Sequence, residues 1–157
     1  MGMKILLYLV ILGLVAVAAG AAYFRLVPLD AEALHIDPAE VTPPGSPNFA
    51  LMVGTSGHFI QNTPGEVASR IAAVADADGA QLLAGSLEEG HVTYVVRSRI
   101  MGFPDIISLR WQPENDGTKL EIFSRSVYGR SDFGVNTRRA HRWSQAARGA
   151  TVFSDGD

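Results

Sequence analysis

Arginines at alternating positions are the residues of this chain most suited to binding. Arg97 and Arg99 lie two apart, and Arg110 and Arg125 follow within later runs of alternating polar and apolar residues. Since alternate residues of a strand point to the same side of a sheet, these side chains are predicted to share one face. Like charges facing each other across strands are destabilising, so an uncovered cluster favours an anionic counter-ion. The alternative is a solvated face on which long arginine stems cover apolar neighbours.

A second basic group surrounds the predicted start of the last helix. Arg130, Arg138 and Arg139 lie on either side of it. Free backbone N–H groups and arginine side chains both favour a phosphate or carboxylate at such a place. The alternative is a structural corner in which Asp132 or Asn136 accepts hydrogen bonds from those N–H groups.

Signals for catalysis are weak. Ser131, Asp132 and His141 supply the residue types of a hydrolase, but Asp132 and His141 are nine residues apart and no nucleophile elbow is present. The four histidines have no metal-ligand spacing, and the absence of cysteine excludes disulfides and thiolate chemistry. No glycine-rich phosphate loop follows a strand, which argues against nucleotide chemistry. Neither a metal nor a cofactor is expected.

Charge divides the chain into two halves. Residues 30–90 hold nine acidic residues and one arginine, a net charge of −8, whereas residues 91–150 hold ten basic and five acidic residues, a net charge of +5. Either the halves pack together and partly neutralise each other, or the basic half meets a lipid head group, phosphate or polyanion. No nucleic-acid partner is expected.

Turn and capping residues mark the elements that must position these side chains. Thr63-Pro64-Gly65-Glu66 is a capping box, which predicts a helix ending at Asp78-Gly79. A closing helix is predicted to run to about Arg148. The predicted strands between them are a weak one over Gln81–Gly85, then Val92–Met101, Asp105–Gln112 and Thr118–Val127; Asn48–Val53 is a further strand-like run.

This order predicts an α+β domain in which an antiparallel sheet carries two helices on one face. Hairpin turns at these places would set Arg97 opposite or diagonal to Arg110, and Arg110 beside Glu121. The apolar residues predicted to form the core are Val92, Tyr94, Val96, Ile100, Ile107, Leu109, Trp111, Leu120 and Ile122 of the strands, with Val135, Ala140, Trp143 and Ala147 of the closing helix.

Residues Ile5–Phe24 form an uncharged run between Lys4 and Arg25. As a helix the run spans about 30 Å, the thickness of the hydrocarbon core of a bilayer. It predicts an anchor over residues 1–25, with the domain exported across the inner membrane. The alternative is a cleaved signal peptide, because Ala19-Gly20-Ala21 has the small-x-small character of a cleavage site.

The remainder is predicted to be one small domain. Residues 26–62 are rich in proline, which indicates an extended tether or a strap laid over the domain. The compact part is expected over residues 63–150, and residues 151–157 are expected to be a disordered tail.

Two segments resemble a known family. They are Arg97-Ser98-Arg99-Ile100-Met101-Gly102-Phe103-Pro104-Asp105 and Ser124-Arg125-Ser126-Val127-Tyr128-Gly129-Arg130-Ser131-Asp132-Phe133-Gly134-Val135-Asn136. Together they are similar to the domain of unknown function 1499 family, from about residue 48 to 148. The resemblance implies a small bacterial or plastid domain, often membrane-tethered or exported, with no established activity. The chain departs from the family at Val127-Tyr128, where members frequently carry an arginine before the glycine.

In the second segment, Gly129 and Gly134 permit positive φ around Ser131-Asp132, as expected where a strand passes into a helix. Two hypotheses remain open. One is a non-enzymatic binding or assembly module whose basic sheet face or helix corner meets an anionic lipid, glycan or protein. The other is an enzyme of small scope that uses Arg99, Asp105 and Ser131 on an anionic substrate.

Overall fold

A computed structural model describes residues 2–54 and 58–150; the predicted tail at 151–157 lies outside them. The helices are α1 (Gly2–Leu26), α2 (Ala31–Leu34), α3 (Pro64–Ala77) and α4 (Val135–Ala147), and a short 3₁₀ helix lies at Pro38–Glu40. The strands are β1 (Phe49–Met52), β2 (His58–Ile60), β3 (Gln81–Ser86), β4 (His91–Arg97), β5 (Pro104–Glu114) and β6 (Gly117–Ser126).

The strands form one antiparallel sheet of order β1-β6-β5-β4-β3, and β2 also pairs with β6. Helices α3 and α4 contact each other and pack on the sheet. The predicted α+β fold class is therefore confirmed. The strand-like run near residue 50 joins the sheet as β1.

Helix α3 begins with the predicted capping box. The Thr63 hydroxyl accepts from the Glu66 backbone N–H at 3.3 Å, and the Glu66 carboxylate accepts from the Thr63 N–H at 2.8 Å. Two otherwise unpaired donors are satisfied, so the helix start is fixed by local sequence.

The hydrophobic core lies between the sheet and these two helices. Its buried residues include Val67, Ile71, Val92, Tyr94, Ile107, Leu109, Trp111, Leu120, Ile122, Ala140, Trp143 and Ala147. Most of the predicted core is therefore confirmed. Val96 is only half-buried.

Two predicted core residues are instead exposed. Ile100 is 81% exposed because β4 ends at Arg97 and the chain turns back, with the Gly102 N–H donating to the Ser98 carbonyl at 2.9 Å. Val135 is 37% exposed because the buried stripe of α4 passes through Asn136, one residue further and about 100° around the helix.

The other face of the sheet is also covered. Residues 27–48, here called the strap, lie across it: α2 contacts β3, and the 3₁₀ helix contacts β5 and β6. Val95, Ile106 and Phe123 are buried on this side. The predicted open arginine face is therefore wrong. A sequence signal exists in Val95-Val96 and Ile106-Ile107, because consecutive apolar residues are typical of strands buried on both faces.

Candidate functional site

The register of the strands separates the sheet arginines. Arg110 lies opposite Glu121, as predicted, but its β4 partner is His91, and Arg97 pairs with Pro104 at the other end of β4. The prediction that Arg97 and Arg110 lie opposite or diagonal to each other is therefore wrong. Arg99 lies beyond the end of β4, so it does not share the strand face.

The strap and the end of α1 supply partners for the three arginines that do lie on this face. The Arg110 guanidinium pairs with the Asp37 carboxylate at 3.1 Å. Arg125 Nη2 donates to the Leu34 carbonyl at 2.8 Å. Arg97 Nη1 donates to the carbonyls of Phe24 and, at 3.3 Å, Gly102. The contacts of Arg110 with Asp37 and of Arg125 with Leu34 join the acidic half of the chain to the basic half.

Arg125 is the most enclosed of these arginines. Its guanidinium carbon lies 4.5 Å from the centroid of the Phe123 ring. Burial lowers the pKa of Arg125 to about 10, which leaves it charged at neutral pH. Its Nη1 atom is buried and has no hydrogen-bond partner among residues 2–54 and 58–150. Its hydrogen bond to the Leu34 carbonyl joins β6 to the strap.

Two histidines that are far apart in sequence meet where the strap contacts the sheet. The rings of His35 and His91 stack with centroids 3.9 Å apart. His35 Nδ1 lies 2.9 Å from Thr93 Oγ1, which lies 3.0 Å from Ser108 Oγ. Both hydroxyls are fully buried, so this chain of polar groups is internal. Sequence reasoning missed it because the two histidines are 56 positions apart.

A buried polar network joins α4 to the sheet. Asn136 Oδ1 accepts from Ser124 Oγ at 2.6 Å and from Arg139 Nη1 at 3.0 Å, while Asn136 Nδ2 donates to the Asn48 carbonyl at 3.2 Å. Arg139 also pairs with Asp105 at 3.0 Å. The network includes Asp105, the last residue of the first family-like segment, and Ser124 and Asn136, the two end residues of the second. Arg139 and Asp105, predicted for a ligand or a substrate, are engaged with each other.

The turn before α4 is held by Asp132. Its carboxylate accepts from the backbone N–H groups of Gly134 at 3.0 Å and Asn136 at 2.8 Å. Burial alone would raise the pKa of Asp132, but these hydrogen bonds outweigh it and hold the pKa below its ordinary value. Gly129 and Gly134 have the expected positive φ, +89° and +78°. Asp132 thus occupies the donors that an anion would need.

Two loops at one end of the sheet contact the end of α1. We call residues 98–103 and 127–134 the α1-facing loops. Arg25 Nη2 donates to the carbonyls of Arg99 and Ile100, each at 2.8 Å. The ring of Phe24 lies 4.4 Å from that of Phe103 and 5.1 Å from that of Tyr128, measured between centroids. These contacts join both family-like segments to α1.

Three arginine side chains on or beside these loops are exposed to solvent: Arg99, Arg130 and Arg138. Arg138 Nη1 donates to the Phe133 carbonyl at 3.0 Å, which ties the start of α4 to the second loop. Of the predicted ligand residues, Arg99 and Arg130 are therefore the two on exposed positions at this end.

The described residues offer little for catalysis. No three of their His, Asp and Glu side chains are grouped to hold a metal ion. Ser131 and His141 are exposed, and the Asp132 carboxylate is directed to the backbone. A groove between α3 and α4 contains Asp78, but that carboxylate accepts from Arg142 and from Trp143 Nε1 at 2.7 Å. The groove is a packing seam whose polar groups are paired.

These features define a two-layer α+β domain behind an N-terminal helix; α1 is the one described helix long and apolar enough to cross a membrane. The family model described as "Protein of unknown function (DUF1499)" matches residues 32–146, and the chain belongs to that family. The matched region runs from α2 into α4 and therefore includes most of the strap. No curated protein matches the chain.

Proposed function

We propose that this chain is a membrane-anchored, non-enzymatic binding module. In this proposal α1 crosses the inner membrane once and residues 27–150 lie in the periplasm. The ligand is anionic and meets the basic end of the domain formed by Arg99, Arg130 and Arg138. The observation that carries the proposal is the pair of hydrogen bonds from Arg25 to the Arg99 and Ile100 carbonyls, because they hold this basic end beside α1.

The choice of site follows from what the other arginines already do. Arg97, Arg110 and Arg125 have partners on α1, the strap or the adjoining loop, and Arg139 pairs with Asp105. A ligand at those positions would have to displace contacts within the chain. The exposed side chains of Arg99 and Arg130 make no hydrogen bond or ion pair within the described residues, and that of Arg138 donates only to the Phe133 carbonyl. Several such arginines acting together are needed because each exposed ion pair contributes only about 0 to 1 kcal/mol.

The anchor is tested by fractionating membranes that contain the full chain. We expect the protein to remain in the membrane after a high-salt wash and to keep residues Ile5–Phe24. A mature N-terminus near Ala22 would instead show a cleaved signal. The absence of cysteine allows Asp116→Cys, in the β5–β6 turn, to report orientation: a membrane-impermeant maleimide should label it from the periplasmic side.

The basic end is tested on heparin resin with the full chain in a neutral detergent. We expect salt-dependent retention that falls in the double variant Arg99→Gln, Arg130→Gln. The matched control, Arg70→Gln with Arg148→Gln, removes the same charge from the middle of α3 and from the residue that follows α4. Equal retention of the two variants would show that the arginines beside α1 are not the site.

A further inference from the structure

Large apolar side chains project from the same two loops that carry the exposed arginines. Ile100 is 81% exposed and Phe133 is 89% exposed. Phe133 also has a left-handed backbone, with φ of +53°. That conformation is unfavourable for a bulky residue, and strained residues of this kind concentrate at functional surfaces. The core gains nothing from a ring that is almost wholly outside it.

The level of these loops relative to α1 can be read from their contacts. The apolar run of α1 ends at Phe24, and Arg25 binds the carbonyl of Ile100. Met101 reaches further back along the helix: a Cβ atom placed on Gly20 would lie 3.7 Å from Met101 Cε. Gly20 is four residues before Phe24, or about 6 Å along the axis. The first loop therefore overlaps the last turn of the apolar run.

We propose that the α1-facing loops dock on the surface of the bilayer that α1 crosses. Ile100 and Phe133 enter the boundary between head groups and acyl chains, and Arg99, Arg130 and Arg138 contact the phosphates of anionic lipids. Apolar residues flanked by arginines suit such a boundary, because the apolar side chains gain from leaving water and the arginines form charge-assisted hydrogen bonds with lipid phosphates. This inference rests on the proposed function and names its ligand as anionic lipid.

Residues elsewhere in the fold provide a reference for the test. Asp116 is exposed in the turn between β5 and β6, whereas the α1-facing loops adjoin the other end of β5, near Pro104. A strand of this length separates the two ends by about 35 Å. A probe at 116 should therefore stay in water while probes on the loops enter the bilayer.

The experiment uses the cysteine-free full chain in lipid nanodiscs. Single variants Ile100→Cys, Phe133→Cys and Asp116→Cys are labelled with an environment-sensitive fluorophore. In discs containing phosphatidylglycerol we expect blue-shifted emission at 100 and 133, with quenching by lipids that carry a spin label near the head group, and neither effect at 116. Replacing Arg130 by Gln should lower the ratio of docked to undocked molecules about fivefold.

A second variant separates docking from a structural role of the aromatic ring. Phe133→Gly suits the positive φ, so it should leave stability unchanged or raised while reducing quenching of the probe at 100. Lower stability with unchanged quenching would overturn the assignment of Phe133 to docking.

The remaining outcomes distinguish this inference from the function on which it rests. If the protein enters discs but probes at 100 and 133 are as water-exposed as the probe at 116, lipid docking is wrong and the anchor stands. The same result, reversed only by adding a membrane-protein extract, would assign the loops to a protein partner and overturn the lipid proposal. Failure of the chain to enter discs would overturn the anchor itself.

Discussion

The rings of His35 and His91 stack at 3.9 Å, and this contact joins the strap to the edge of the sheet near β3 and β4. Its surroundings leave little room: a Cβ atom on Gly85 would lie 2.8 Å from His35 Cε1. Burial, followed by the charge of His91, lowers the pKa of His35, while Glu89 and Asp37 act in the opposite direction. The folded state therefore favours the neutral form of the His35 ring.

We expect acidification to weaken the strap. The pKa of His35 in the folded chain lies below its ordinary value of 6.5, so the unfolded chain binds the proton first. The stabilisation is complete above pH 6.5 and is lost as the pH falls below it towards the pKa of the folded state. The protection factors of the amides in residues 31–40, which correct for the slower intrinsic exchange at low pH, should therefore fall as the pH is lowered from 7.5 to 5.5. His35→Asn should flatten this dependence; an unchanged pH profile in that variant would assign the effect to another group.

Asp37 has two roles that two substitutions can separate. Its Oδ1 atom accepts from the Ala39 N–H at 3.0 Å, and its Oδ2 atom pairs with Arg110. Asn retains the cap and loses the charge, so Asp37→Asn should cost no more than about 1 kcal/mol in the free energy of unfolding. Asp37→Ala loses both, and we expect about 1 kcal/mol more. Urea unfolding followed by tryptophan fluorescence measures both values; equal costs would mean that the cap contributes nothing.

Asn136 should be among the residues on which stability depends most. It is fully buried, and its removal leaves Ser124 Oγ without its partner and takes away one of the two donors to the Asn48 carbonyl, which keeps the Ser126 N–H. We expect Asn136→Ala to lower the free energy of unfolding by about 2 to 4 kcal/mol. Thr137→Ala, at the exposed neighbouring position of α4, is the matched control and should change it little. Similar values for the two variants would contradict the network's role.

Gly102 allows the first α1-facing loop to approach α1. Its φ is +73°, and a Cβ atom there would lie 2.4 Å from Arg25 Cγ. Gly102→Ala should therefore cost about 1 to 2 kcal/mol for the left-handed backbone and also displace the loop from α1. Faster proteolysis within residues 98–103 would report that displacement. Gly45→Ala is the control, because no atom lies within 4 Å of the added methyl group and φ is not positive; equally fast cleavage in both variants would refute the contact.

Local sequence determined much of this protein. The uncharged run at Ile5–Phe24, the capping box at Thr63 and the alternation around Leu109 and Ile122 each act through neighbours in the chain or through the period of one element. They were sufficient for the α+β class, the positions of α1, α3 and α4, and the buried face, but not for α2 or the 3₁₀ helix of the strap. They also gave the neighbouring pair Arg110 and Glu121, since a short turn fixes the register of its own hairpin.

Tertiary structure alone decided what each arginine does. Arg110 pairs with Asp37, 73 positions away, and Arg125 donates to Leu34, 91 positions away. The sequence shows the charges of Arg110 and Asp37 but not the path of the strap. A proline-rich segment has no hydrophobic periodicity from which the surface that it covers could be predicted. Only packing of the strap against the sheet turns an apparently open basic face into a covered one, and leaves the exposed arginines at the end beside α1.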